Sequence, residues 1–100
     1  MKMIVKTHKT HDGRRVIAVC DSEILGKKFE DKGMQLDLSC SFYKGDEKTD
    51  EELLEELKRP GSVNIVGEKS IKFFVERGLI DKNSVIRIKN VPHAQCVLMG

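Results

Sequence analysis

The residues best suited to chemistry fall in two short stretches, one near each end of the chain. Residues 91–96 read VPHAQC and place His93 three positions before Cys96, and His8 stands three positions before His11. Imidazole and thiol are ligands that zinc prefers. However, a strand turns successive side chains to opposite faces, so positions 93 and 96 diverge if this stretch is a strand. We therefore expect no metal site and no cofactor.

The same stretch offers a nucleophile and a base, and the same alternation separates them. Cys96 would need His93 within hydrogen-bonding reach to act as a nucleophile. His93 alone would act as an acid or base only beside an orienting carboxylate. The segment VGEKS at 66–70 lacks the upstream glycine of a phosphate-binding loop. We predict no catalytic residue and favour a binding protein over an enzyme; a small enzyme that uses His93 is the alternative.

Length and composition are those of one ordinary globular domain spanning residues 1–100. The chain has 100 residues, of which 39% are hydrophobic and 34% charged, and no apolar run long enough to cross a membrane. The N-terminal stretch MKMIVKTHK lacks the pattern of a signal peptide, and the three cysteines form no closely spaced pair. We expect reduced thiols, a cytoplasmic location and no membrane contact.

The net charge of +2 conceals three blocks of opposite sign. Residues 1–28 carry seven Lys and Arg against three Asp and Glu, residues 29–58 carry four against ten, and residues 59–100 carry seven against three. Such segregation predicts that basic and acidic surfaces face different directions in the fold. The simpler interpretation is that these charges only keep the surface solvated and the protein soluble.

Four segments in the first half of the chain have clear patterns. MIVKT (3–7) and RVIAVC (15–20), joined across Asp12-Gly13, predict a β-hairpin, and SEILG after it predicts a short helical turn. In MQLDLSC (34–40) apolar and polar residues alternate, which predicts a strand with one solvent-exposed face, and YKGDEK is expected to be a loop. Thr49 and Glu52 have capping-box spacing before the acidic helix 50–58, whose expected apolar stripe is Leu53, Leu54 and Leu57.

The second half predicts one long helix followed by a hairpin. Apolar residues recur at helical spacing from Val63 to Val75, so we expect a helix over 62–77 with Phe74 rather than Phe73 buried. VIRIK (85–89) and HAQCVLM (93–99) predict two strands, with Asn90, Val91 and Pro92 as the loop. In that register Lys89 faces His93 and Arg87 faces Gln95.

This register predicts a binding surface on the last hairpin. One strand face would carry Arg87, Lys89, His93 and Gln95, whose donors and positive charge suit phosphates and base edges. The surface would also include Arg14, Arg15, Lys6 and Lys9 if the two hairpins are neighbours. The expected partner is RNA or a ribonucleoprotein in translation or RNA processing. A protein-interaction adaptor that uses the acidic helix 50–58 is a further alternative.

The stretches VIAVCDSEILGKKF, LDLSCSFYKG, NIVGEKS and VIRIKNVPHAQCVL resemble the archaeal family known as domain of unknown function 424. The likeness extends over nearly the whole chain, and VPHAQ is its most specific part. The resemblance implies a compact α+β domain, an archaeal cytoplasm and an RNA-binding role, and it carries over no catalytic residue.

The expected architecture is a single α+β domain. It has a mixed or mostly antiparallel sheet of about five strands, with two main helices covering one face. In the expected core, leucines of the acidic helix meet Val66, Ile71, Phe74, Ile86, Ile88, Leu36 and Leu38.

Overall fold

The computed structural model describes residues 2–99, which form two helices and eight strands. The helices are α1 (Asp50–Glu56) and α2 (Glu68–Glu76). The strands are β1 (Met3–Lys9), β2 (Arg15–Asp21), β3 (Lys28–Asp31), β4 (Met34–Asp37), β5 (Asp46–Lys48), β6 (Gly61–Val66), β7 (Ile86–Ile88) and β8 (Val91–Leu98). In the part described, no helix has the length and apolar character needed to cross a membrane.

Six strands form the main sheet in the order β5-β1-β2-β6-β8-β7. Only the central pair β2–β6 is parallel; the other neighbours are antiparallel. The strands β3 and β4 form a separate two-stranded hairpin. The α+β class with a mainly antiparallel sheet is therefore confirmed. The main sheet has six strands instead of about five. The segments β5 and β6, expected as a loop and as part of a helix, both join it, whereas the strand expected over 34–40 lies in the separate hairpin as β4.

The sheet has apolar side chains on both faces, so the protein has two cores rather than one. On the first face α1 and α2 pack their Leu53, Ile71 and Phe74 against residues such as Ile17 and Ile65. On the second face Leu36, Leu38 and Tyr43 cover Cys20, Val66 and Ile88. The expected single core was wrong in this respect, and it also included Leu54 and Ile86, which are both exposed.

The prediction of a helix over 62–77 is wrong for its first residues. Residues Gly61–Val66 form the strand β6 parallel to β2, and the helix begins only after Gly67. Gly67 has a φ of 110°, which no continuous helix contains, and the β-branched Val63, Ile65 and Val66 favour a strand. Within α2 both Phe73 and Phe74 are buried. Arg77 covers the ring of Phe73, its guanidinium carbon 3.7 Å from the ring centre.

The last hairpin has a shorter turn and a different register from the one expected. Lys89 and Asn90 form the turn, with φ angles of 52° and 67°, as a two-residue hairpin connection requires. Ile86 consequently faces His93, and Arg87 faces Pro92.

Pro92 is accommodated inside β8 because no donor is needed there. Its carbonyl accepts a hydrogen bond from the N–H of Gly67 at 2.9 Å, and the carbonyl of Gly67 accepts from the N–H of Ile71 at 2.9 Å. An N–H at position 92 would have donated to the carbonyl of Gly67. That carbonyl already accepts a hydrogen bond within the first turn of α2, so proline costs no hydrogen bond here.

Candidate nucleic-acid interface

The structure separates the cations that the sequence placed beside His93 and Gln95. An odd shift in register moves every side chain of β7 to the opposite face, so Arg87 lies on the helix side of the sheet while His93 and Gln95 lie on the other. There Arg87 forms an ion pair with Glu68 at 3.0 Å. Lys89 lies in the hairpin turn. The expected face of Arg87, Lys89, His93 and Gln95 was therefore wrong.

Arg14 and Arg15 lie at the other end of the sheet from this turn and have different surroundings. Arg14 is exposed and pairs with Asp12 at 3.0 Å. The side chain of Arg15 is only 13% exposed and donates to the carbonyls of Glu56, Arg59 and Pro60 and to the Glu56 carboxylate at 2.8 Å. Arg15 thus holds the end of α1, whereas Arg14 remains accessible.

The second face of the sheet is covered over only part of its length. The strand register arranges its residues in rows across the sheet, and the row containing Ile4, Cys20 and Val66 is buried under the Leu36 and Leu38 segment. The next two rows lie beyond that cover. We call them the open half; its residues are Lys6, His8, Val16, Ser62, Asn64, Gln95 and Val97, together with the buried Ala18.

Two amide side chains are joined in the middle of the open half. Gln95 Nε2 donates to Asn64 Oδ1 at 2.7 Å, between residues that face each other on β6 and β8. With the amides oriented this way, the amino group of Asn64 and the carbonyl of Gln95 keep hydrogen-bonding capacity beyond their mutual bond. A donor and an acceptor therefore stand next to each other on a flat surface.

A stacked aromatic pair borders the open half. The ring of His8 lies parallel to Phe42, with ring centres 4.7 Å apart and planes inclined by 2°. The Nε2 atom of His8 is 2.9 Å from the carbonyl oxygen of Phe42, which fixes the ring over its neighbour. Tyr43 meets the edge of Phe42 on its other side.

Basic residues surround the end of the open half at the β1–β2 turn. A groove of about 660 Å³ lies between Arg14, Arg59, Ser62 and Val97. A smaller groove of about 310 Å³ is lined by His8, Lys9 and Arg59, among others. The eight residues of the open half include no carboxylate, and Lys6 is exposed on it. Arg14 and Arg59 at this end of the sheet pair with Asp12 and Glu56, at 3.0 and 3.5 Å, and all four cations are exposed.

The metal and catalytic candidates are not brought together. His93 and Cys96 point to opposite faces of β8, and His8 is engaged with Phe42. Among residues 2–99 there is no group of three His, Cys, Asp or Glu side chains placed to hold a metal ion. Burial lowers the pKa of His93 and raises that of Cys96, so both are held in their neutral forms near pH 7. No described side chain orients His93 by a hydrogen bond.

The VGEKS segment does lie between a strand and a helix, but its anion position is filled from within. The carboxylate of Asp21 accepts from the N–H groups of Lys69 and Ser70, at 3.0 and 2.8 Å, at the start of α2. A Cβ atom at Gly67 would overlap the same carboxyl group. The helix N-terminus thus has its negative charge supplied by the chain itself, which leaves no room for a phosphate.

Three residues of the open half had no place in the predicted site. Asn64 and Ser62 were assigned to a helix, and His8 was weighed only as a metal ligand. The signal that would have found Asn64 and Ser62 is the alternation of SVNIV, in which the polar Ser62 and Asn64 alternate with Val63 and Ile65. Lys6 was considered as an addition, and the structure places it on the open half.

Comparisons with known proteins agree with the geometry of the fold. The family model described as "Protein of unknown function (DUF424)" matches residues 8–99, and the chain belongs to that family. The fold is similar to that in a crystal structure of an uncharacterized conserved protein from Methanopyrus kandleri, with a TM-score of 0.80 and 25% sequence identity. That match covers 98% of this chain and 92% of the other. A search of the curated proteins finds no match.

Proposed function

We propose that this member of the family binds RNA, free or within a ribonucleoprotein, through the open half of its sheet. The observation that carries the proposal is a partly exposed, carboxylate-free part of a sheet face that includes Lys6 and is bordered by Lys9, Arg14 and Arg59. A cytoplasmic role in translation or RNA processing accords with three cysteines that form no disulfide.

The side chains of the open half suit unpaired bases better than a duplex. Proteins read single-stranded RNA by stacking bases on flat side chains and by hydrogen bonding to the exposed base edges. The His8–Phe42 stack supplies a flat ring system, and the Asn64–Gln95 pair supplies an adjacent donor and acceptor. Lys6 and the basic surroundings would contact the phosphates on either side.

An enzyme that uses His93 has less support from the contacts. His93 lies half-buried beside Ile86, and among the described residues no carboxylate or hydroxyl group forms a hydrogen bond with its ring. By contrast, the open half needs no rearrangement to admit a ligand. We therefore retain binding as the function.

The test is a charge-matched pair of double variants. Lys6→Gln with Arg14→Gln removes two cations at the open half, and Arg87→Gln with Lys89→Gln removes two at the far end of the sheet. Affinity for fluorescein-labelled single-stranded RNA of mixed sequence is measured by anisotropy at several salt concentrations. For the first variant we expect weaker binding and a log–log salt slope shallower by about 1.4, at about 0.7 per lost phosphate contact. The second variant should bind like the unmodified protein.

A third variant separates base contacts from phosphate contacts. Asn64→Ala with Gln95→Ala keeps every cation, so the salt slope should not change, while discrimination between homopolymeric RNAs should decrease. The absence of RNA affinity at low salt would overturn the proposal. Equal losses in both charge variants would show that binding follows net charge and not the open half.

A further inference from the structure

The outer edge of β8 has unpaired backbone groups. Strand β7 pairs with β8 only from Val91 to His93, whereas β6 pairs with it as far as Leu98. No other described strand extends along the outer side of β8 beyond His93. The bond from Gly67 to the Pro92 carbonyl shows which residues of β8 point towards β6. In an antiparallel ladder the direction alternates, so the backbone groups of Gln95 and Val97 point outwards.

This edge lacks the features that usually keep strand edges from pairing. Native sheets protect their edges with lysines, prolines in the pairing region, or very short strands. The opposite edge of this sheet follows the rule, since β5 has three residues, all charged. The free part of β8 contains no charged residue, and the side chains of Val97 and Met99 are 70% and 86% exposed.

We propose that the free edge of β8 pairs with the same edge of a second copy of this chain. The two strands would be antiparallel across a two-fold axis and would extend the six-stranded sheet of each copy into one of twelve. The inference does not rest on RNA binding, because it depends on the free backbone groups of β8 and on the pairing of Gln95, Val97 and Met99, and not on any nucleic-acid ligand.

A second copy fits the edge because the edge is complementary to itself. The outward-pointing positions of β8 are Gln95 and Val97, and Met99 would continue the same alternation just beyond the end of the strand, so the three positions are equally spaced around Val97. Antiparallel pairing centred there sets Val97 opposite the partner's Val97, and Gln95 opposite the partner's Met99. No like charges meet across the axis, and a β-branched apolar pair lies at its centre.

There is also space for the incoming strand. Gln95 and Val97 are exposed, and a groove of about 340 Å³ lies beside the edge at Ser84, Ile86 and His93. The chain enters β7 from a turn of 3₁₀ helix at Lys82–Ser84, and its strand pairing with β8 does not extend beyond Ile86 and His93. The contact is limited to one strand, which implies a weak dimer with a dissociation constant in the micromolar range, as small interfaces commonly give.

Sedimentation velocity of the full chain across micromolar to submillimolar concentrations tests the association. We expect a reversible dimer. Val97→Lys should raise its dissociation constant at least about tenfold, because the two lysines repel each other across the axis. Val97→Thr, which keeps the branched shape without charge, should retain the dimer, and Met34→Lys on β4 should too. Circular dichroism verifies that each variant is folded.

Crosslinking tests the register. In a Cys40→Ser background, Val97→Cys brings two thiols into a directly opposed pair, whose Cα atoms are about 5.5 Å apart and within disulfide range. Mild oxidation should yield a covalent dimer from that variant, while Met34→Cys remains monomeric. A monomer at all concentrations would overturn the proposal, and so would a dimer that survives Val97→Lys or one that Val97→Cys fails to crosslink.

Discussion

The carboxylate of Asp21 accepts hydrogen bonds from both the backbone N–H and the hydroxyl of Ser70, at 2.8 and 2.6 Å, across 49 positions of sequence. Both residues are buried. Asp21 ends β2, and Ser70 lies in the first turn of α2, so the contact joins the central parallel strand pair to the helix that follows β6. It replaces a local helix cap, since Gly67 at that position has no side chain to offer.

Removal of the Asp21 carboxylate should be strongly destabilising. Asp21→Ala leaves the N–H groups of Lys69 and Ser70 and the Ser70 hydroxyl without their acceptor in a buried place. We expect a loss of about 2–3 kcal/mol in the free energy of unfolding, measured by urea titration. Asp21→Asn keeps part of the hydrogen bonding and should lose less. Equal losses in the two variants would contradict a contribution from the hydrogen bonds that the amide can keep, and an unchanged stability in Asp21→Asn would contradict a role for the charge at the helix N-terminus.

Two glycines with left-handed backbones provide a matched comparison. Gly67 has a φ of 110° and Asp21 beside its missing Cβ, whereas Gly78 has a φ of 70° and open space. Gly78→Ala should cost about 1 kcal/mol for backbone strain alone. Gly67→Ala should cost about 3 kcal/mol or more, because the Cβ displaces the carboxylate as well. Thermal unfolding that gives equal shifts for the two variants would contradict this account.

The partial burial of the His93 side chain predicts how the stability of the protein depends on pH. Burial lowers its pKa below the ordinary value of 6.5, so the folded protein binds the proton less readily than the unfolded chain. The stabilising effect is complete above pH 6.5 and is lost as the pH falls below it towards the folded pKa. The difference in unfolding free energy between the unmodified protein and His93→Gln should therefore be smaller in acid than at neutral pH. A difference that does not change with pH would contradict the prediction.

Arg15 is predicted to contribute to stability rather than to RNA affinity. Its guanidinium bonds three carbonyls and one carboxylate around the end of α1. Arg15→Gln should lower the free energy of unfolding by about 1–2 kcal/mol, because four acceptors lose a charged donor and two of those hydrogen bonds are part-buried. In RNA titrations at a temperature where the variant is folded, the salt slope should be unchanged. A shallower slope would place Arg15 among the phosphate contacts.

The sequence alone determined the elements whose signals are local. Asp12-Gly13 between two β-branched runs predicted the β1–β2 hairpin, and Thr49 with Glu52 predicted the capping box of α1, which both residues form. The family and the α+β class were also accessible, because motif and composition are read directly from residue order. The RNA-binding prediction belongs to this level and awaits its experiments.

Only the tertiary structure decided which side chains share a face. Residues 62–66 fit a helical spacing by coincidence, and only pairing with β2 and β8 makes them a strand. The turn at Lys89-Asn90 shifts the last hairpin by an odd number of residues, which moves Arg87 away from Gln95. Strand side chains alternate with a period of two, so one such shift exchanges the two faces. Register depends on strands that are distant in the sequence. The sequence alone could therefore place His93 and Gln95 on one face of a strand, but it could not identify the residues beside them.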